Sequence, residues 1–98
     1  MEVNVRALRK RAPQSDALCR YETIAQLLTG NPNAHTEEGI EWVMQLCTKL
    51  SIPPLSTYGI GGADVAILVE KAAQASSMKA NPIVLTASEL ADLVSAAL

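Results

Sequence analysis

Apolar residues recur at three- and four-residue intervals along almost the whole chain, and no stretch alternates apolar with polar long enough to make a strand. That spacing lines side chains up on one face of a helix. The prolines fall between the periodic runs, where a missing N–H and a fixed φ interrupt the hydrogen-bond ladder. The predicted fold is all-α, an irregular bundle of about five short helices. With 98 residues, one compact domain spanning positions 1–98 is expected.

The first helix covers about residues 2–12, with Met1, Val5, Leu8 and Ala12 on one stripe and Pro13 as its stop. Asp16 is the expected N-cap of a second helix that shares Leu18, Tyr21, Ile24, Leu27 and Leu28 on a face and stops at Gly30. Thr36 is the expected cap of a third, where Glu37 and Glu38 meet the positive helix end and Ile40, Val43, Met44, Cys47 and Leu50 form the expected buried stripe. Pro53-Pro54 predicts an extended connector across Ser51–Ser56. A fourth helix is expected from just after Gly61-Gly62 to about Ser76, with Val65, Leu68, Val69 and Ala72 on one side. After the break at Asn81-Pro82, Thr86 and Glu89 have capping-box spacing. The last helix, about 87–97, would bury Leu90, Leu93, Val94 and Ala97.

Composition narrows the function classes. Apolar residues are 49% and charged residues 18%, with no Phe, one Trp and two Tyr, so the interior is aliphatic and disorder is excluded. A net charge of -2 disfavours a general polyanion binder. Arg6, Arg9, Lys10 and Arg11 have no interleaved aromatics for base stacking and read as a solvated helical face. No apolar run is long enough to span a bilayer, and the charged start lacks the core of a secretion signal, so a soluble cytoplasmic chain without a membrane partner is expected. Cys19 and Cys47 lack paired metal-ligand spacing and read as buried free thiols.

Chemistry-bearing motifs are few. His35 is the lone imidazole and reads as an exposed spectator, with no nucleophile set around it. Gly59-Ile60-Gly61-Gly62 lacks the preceding strand and the lysine of a phosphate loop, and reads as a flexible lead into a helix. Trp42 beside the apolar stripe suits a core or interface anchor. Glu37, Glu38 and Glu41 suit a helix start without forming a metal cluster. Ser76-Ser77-Met78-Lys79 reads as a polar, flexible link.

Four blocks stand in a suggestive order: Arg20-Tyr21-Glu22-Thr23-Ile24-Ala25, Leu46-Cys47-Thr48-Lys49-Leu50-Ser51-Ile52-Pro53, Ala75-Ser76-Ser77-Met78-Lys79-Ala80-Asn81-Pro82, and Leu85-Thr86 with Glu89-Leu90. Together they resemble the C-terminal end of the iron-containing alcohol dehydrogenases, over nearly the whole chain. Met1-Glu2-Val3-Asn4 also resembles the helix after that family's last metal-binding histidine. The resemblance implies a longer enzyme in which an N-terminal domain binds NAD or NADP, and an aspartate and histidines of a helical domain hold Fe(2+) or another divalent metal. Hydride would pass between nicotinamide and a metal-polarised alcohol or aldehyde. Those ligands and the glycine-rich dinucleotide motif lie upstream of the matched region, so no catalytic, cofactor or metal residue is expected in this chain.

One position carries over: the stretch leading into Asn-Pro approaches the family's substrate cleft, which implies that Ser77 lines its wall. Relatives often carry Thr-Glu where this chain has Gly61-Gly62, which removes a side-chain cap, and Gly where it has Ala80. The expected reading is a C-terminal helical fragment or truncated relative of such an enzyme, inactive alone. The rival is a stand-alone helical module for protein interaction or self-association. The expected partners are a second copy of the chain or the missing N-terminal part of the enzyme, and no nucleic acid.

Overall fold

A computed structural model describes all of residues 1–98. It is helical throughout, without a strand: α1 (Glu2–Arg11), α2 (Asp16–Thr29), α3 (Thr36–Lys49), α4 (Val65–Gln74) and α5 (Ala87–Ser95), with 3-10 turns at Leu55–Tyr58, Gly62–Asp64 and Ser76–Ala80. The all-α expectation and the number of helices hold. The contacts fall into two compact units, Met1–Ile52 and Pro53–Leu98. No helix is long and apolar enough to cross a membrane.

In the first unit α2 packs on both α1 and α3. Val5, Ala7 and Leu8 of α1 are buried, together with Ala25 of α2, Ala34 and Gly39. Where Gly39 of α3 meets Ala25 of α2, the two helix backbones approach closely. Asn4 Nδ2 donates to the Tyr21 hydroxyl at 2.9 Å, a polar tie between α1 and α2. Gly30, with φ 69, ends α2 in the left-handed conformation that a side chain disfavours.

The end of α3 is built differently. Ser51 N–H donates to Thr48 O and Ile52 N–H to Cys47 O, both at 3.0 Å, the paired bonds of a Schellman stop. Ser51 therefore takes φ 51, the sole non-glycine residue at positive φ. This replaces the fully extended connector expected across Ser51–Ser56, as does the 3-10 turn that begins at Leu55.

In the second unit α4 packs on α5, with Leu85, Leu90 and Val94 buried. The chain end folds back: Leu55 N–H donates to Ala97 O at 2.8 Å, and the Ser56 hydroxyl to Leu98 O at 2.6 Å. The capping box at α5 forms as its spacing predicts. Thr86 Oγ1 accepts from Glu89 N–H at 3.2 Å, and Glu89 Oε2 accepts from Thr86 N–H at 2.8 Å.

Several sequence expectations are corrected. The cap of α2 is Ser15, whose hydroxyl accepts from Ala17 N–H, and Asp16 is the first helical residue. His35, not Thr36, stands at the cap of α3. Its N–H donates to Glu38 Oε2 at 2.8 Å, while Thr36 is buried inside the first turn. The stripes are also narrower than their periodicity suggests. Ile24 and Leu27 of α2, Met44 of α3 and Leu50 just after it, and Leu93 of α5 and Ala97 beyond its end at Ser95 are exposed, with Leu27 at 77% and Met44 at 61%. A unit of about fifty residues has too little chain to cover every apolar face its helices present. Cys19 is exposed and Cys47 half-buried; both are free thiols, but neither is a core residue. The link at Ser76–Ala80 is an ordered 3-10 turn. Ahead of α4 the Asp64 carboxylate accepts from Gly61 N–H at 2.8 Å.

Candidate functional site

A concavity of about 740 Å³ forms an open groove of the first unit. One wall is the α1 face Glu2, Val5, Arg6, Arg9 and Lys10; the other is the α3 face Glu37, Ile40, Glu41 and Met44. Both sets follow the three- and four-residue rule, so each wall is one helix face. Val5 is buried at the floor, Ile40 is half-buried and Met44 exposed, while the charges stand on the rims. The Arg9 guanidinium and the Glu37 carboxylate pair across the groove. Their hydrogen bond raises the Arg9 pKa and holds that of Glu37 below the usual carboxylate range. Both side chains are more than half exposed, so the pair fixes geometry more than it stabilises.

A smaller cavity of about 230 Å³ lies beside it, lined by Arg9, Leu18, Cys19, Glu22, His35, Thr36 and Glu37. Here α2 and the start of α3 bring together groups that the sequence leaves separate. His35 Nδ1 lies 3.0 Å from Glu22 Oε1, and this hydrogen bond, with the neighbouring carboxylates, raises the imidazole pKa. His35 is thus a helix cap and an ion-pair partner. Glu22 has no motif that would single it out, because its role depends on a contact between two helices. A third cavity, also about 230 Å³, belongs to the second unit and is lined by Ala73, Gln74, Ala75, Met78, Lys79, Val84, Leu85 and Leu90. Ser77 is exposed on the 3-10 turn at its edge and is not one of its lining residues. The bend at Pro82 is spanned by Asn81 Nδ2, which donates to Ile83 O at 2.7 Å.

The family model for the Fe-containing alcohol dehydrogenase family, C-terminal part, matches residues 5–98. The chain belongs to this family. Its helices are those of the C-terminal helical domain of an iron-containing alcohol dehydrogenase, in agreement with the resemblance carried by the sequence blocks. No curated protein and no solved structure compared with this alcohol dehydrogenase domain matches it.

Family membership implies a metal and a nicotinamide dinucleotide for full-length relatives, and the residues present can be tested against both. No group of three or more His, Cys, Asp or Glu side chains is placed to hold a metal ion, and the single imidazole faces Glu22. The side chains of this domain therefore do not fit an iron site. The Gly59–Gly62 loop follows a 3-10 turn instead of a strand, and its Gly61 amide already binds the Asp64 carboxylate, which would repel a phosphate. It does not fit a dinucleotide.

Proposed function

We propose that this domain serves a metal-dependent, NAD(P)-dependent alcohol or aldehyde oxidoreductase of the cytoplasm as the scaffold at the C-terminal side of its cleft, and is inactive alone. The observation that carries this reading is the family match over residues 5–98, together with an all-helical fold. In this reading the metal and the dinucleotide are held by residues outside these 98, and Ser77 forms part of the substrate-cleft wall. Its exposure on an ordered turn suits that role, because a wall residue must be held in place yet face the cleft.

The test is an assay of the chain with Fe(2+), NAD+ or NADP+ and short primary alcohols. No turnover above background is expected, and measurable turnover overturns the reading. Joined to the metal-binding and dinucleotide-binding parts of an iron-containing alcohol dehydrogenase, the chain should support turnover. There Ser77→Phe should raise KM for bulkier alcohols more than for ethanol; an equal effect on both removes Ser77 from the wall.

A second reading, a helical self-association module, is favoured by the apolar side chains left on the surface of the first unit, Leu27, Met44 and Leu50 above all.

A further inference from the structure

The small cavity between α2 and the start of α3 has its charges already matched. Arg9 is paired with Glu37 and His35 with Glu22, so a charged occupant would have to break one of these pairs. Two polar groups of its wall are not engaged in this way. Thr36 is only 6% exposed, yet its hydroxyl has no hydrogen-bond partner within the chain. No fully enclosed side-chain oxygen or nitrogen lacks a partner, so this oxygen opens onto the cavity that Thr36 lines. Buried hydroxyls are satisfied as a rule, which makes this one a point of attachment for whatever enters. The other group is the thiol of Cys19, free and exposed, one helical turn before Glu22 on the α2 wall.

Volume and polarity then define the occupant. About 230 Å³ is the space of roughly seven or eight waters, enough for a short chain of a few non-hydrogen atoms and too little for a peptide. A molecule of that size, held by one neutral hydrogen bond and contact with Leu18, would bind weakly, whereas a covalent bond to sulfur would hold it in place. We propose that Cys19 is a site of reversible mixed-disulfide formation with a small uncharged disulfide, whose hydroxyl- or amide-bearing end enters the cavity and hydrogen-bonds to Thr36. In this step the Cys19 thiol gives its proton to solvent and its Sγ attacks one sulfur of the incoming disulfide. The new S–S bond forms as the old one breaks, and the departing thiolate takes up a proton. Cys19 is oxidised and half of the incoming molecule is reduced to a thiol, so no further oxidant is needed. The proposal is independent of the oxidoreductase and self-association readings.

The experiment equilibrates the 98-residue chain in two redox buffers, 2-mercaptoethanol with its disulfide and 1-propanethiol with its disulfide. The two adducts are alike in length and differ by a hydroxyl in place of a methyl group. Peptide mass spectrometry reads the mixed disulfide at Cys19 and, in the same sample, at Cys47, which does not line this cavity and serves as the reference. Relative to Cys47, Cys19 should favour the hydroxyethyl over the propyl adduct by roughly three- to tenfold, the worth of one hydrogen bond. Thr36→Val, which keeps the shape and removes the hydroxyl, should abolish the preference, Thr36→Ser should keep most of it, and urea should erase it in the wild-type chain. Far-UV circular dichroism verifies that the variants fold; if Thr36→Val does not, the wild-type chain with and without urea decides. A wild-type Cys19 with no preference overturns the proposal, as expected of a hydroxyl that water already serves. So does a preference that survives Thr36→Val in a folded chain, or a Cys19 that takes up neither group.

Discussion

Gly39 of α3 lies so close to Ala25 of α2 that a methyl group added to it would stand 2.5 Å from the Ala25 Cβ and 2.7 Å from its Cα. Real side-chain carbons do not approach that closely, and Ala25 is fully buried, with no room to retreat. Gly39→Ala gains about 1 kcal/mol of helix propensity but must push α2 and α3 apart. Overpacking of this kind costs about 1–3 kcal/mol. A net loss of stability is expected, seen as a lower urea midpoint in the fluorescence of Trp42, the one tryptophan, which stands on α3 a turn from the contact. An unchanged or higher midpoint would show that the helices separate without loss.

At the other end of α3 the same logic runs in reverse. Ser51 stands at φ 51 to complete the Schellman bonds. A side chain in that region costs about 1 kcal/mol, which glycine avoids, at the expense of a more flexible unfolded chain. Ser51→Gly should raise the Trp42-monitored midpoint by the equivalent of roughly 0.5–1 kcal/mol, and Ser51→Val should lower it. If glycine is the more destabilising of the two, the left-handed stop is not what limits α3.

Thr86→Ala addresses the second unit. The substitution removes the acceptor for Glu89 N–H while leaving the return bond from Glu89 to the backbone. Loss of an N-cap side chain costs about 1 kcal/mol. Leu90 and Val94 depend on α5 for their burial, so α5 should fray and the α4–α5 contact loosen. Faster amide hydrogen exchange across residues 87–90 would report this, and Thr86→Ser should largely prevent it. Equal exchange in Ala and Ser variants would mean the hydroxyl contributes nothing.

These contacts divide sharply in how far the sequence discloses them. Helix spacing, the proline stops, Gly30 and the Thr86–Glu89 box are local, so residue type and short-range separation suffice to read them. The caps of α2 and α3 slip by one residue because Ser15-Asp16 are both good cap formers, and because His35 is an uncommon cap that Glu38 completes from behind. Periodicity identifies the apolar face of α3 but not whether another helix covers it. Met44 and Leu50 are therefore read as core and found at the surface. The Ala25–Gly39 approach and the Glu22–His35 pair join helices distant in sequence, and nothing local marks either. The walls of the groove are visible as two charged helix faces; their juxtaposition requires the fold. Ser77 is set apart by family resemblance alone, as its own chemistry and spacing are those of an ordinary turn.

The His35–Glu22 pair makes stability depend on pH with a definite sign. Its hydrogen bond to Glu22 raises the imidazole pKa in the folded chain, with Glu22, Glu38 and Glu37 adding attraction. A group whose folded pKa lies above its unfolded one binds its proton more tightly when folded. Its stabilising contribution is therefore complete below the unfolded value, about 6.5 for histidine, and disappears as pH rises through the higher folded value. Glu37 behaves oppositely: Arg9 lowers its pKa, so its contribution is complete above the unfolded carboxylate value, about 4.3, and is lost as pH falls below it. Both side chains are exposed, so the effects are small and screened by salt. Comparing the wild-type chain with Glu22→Gln by Trp42-monitored urea unfolding isolates the first pair. The stability difference should be largest near pH 5.5–6, shrink steadily as histidine deprotonates, and narrow further at each pH when salt is added. A difference that is constant across this range would mean that Glu22 supports α2 through contacts other than the imidazolium, and that the ring at the cap of α3 carries no charge the fold uses.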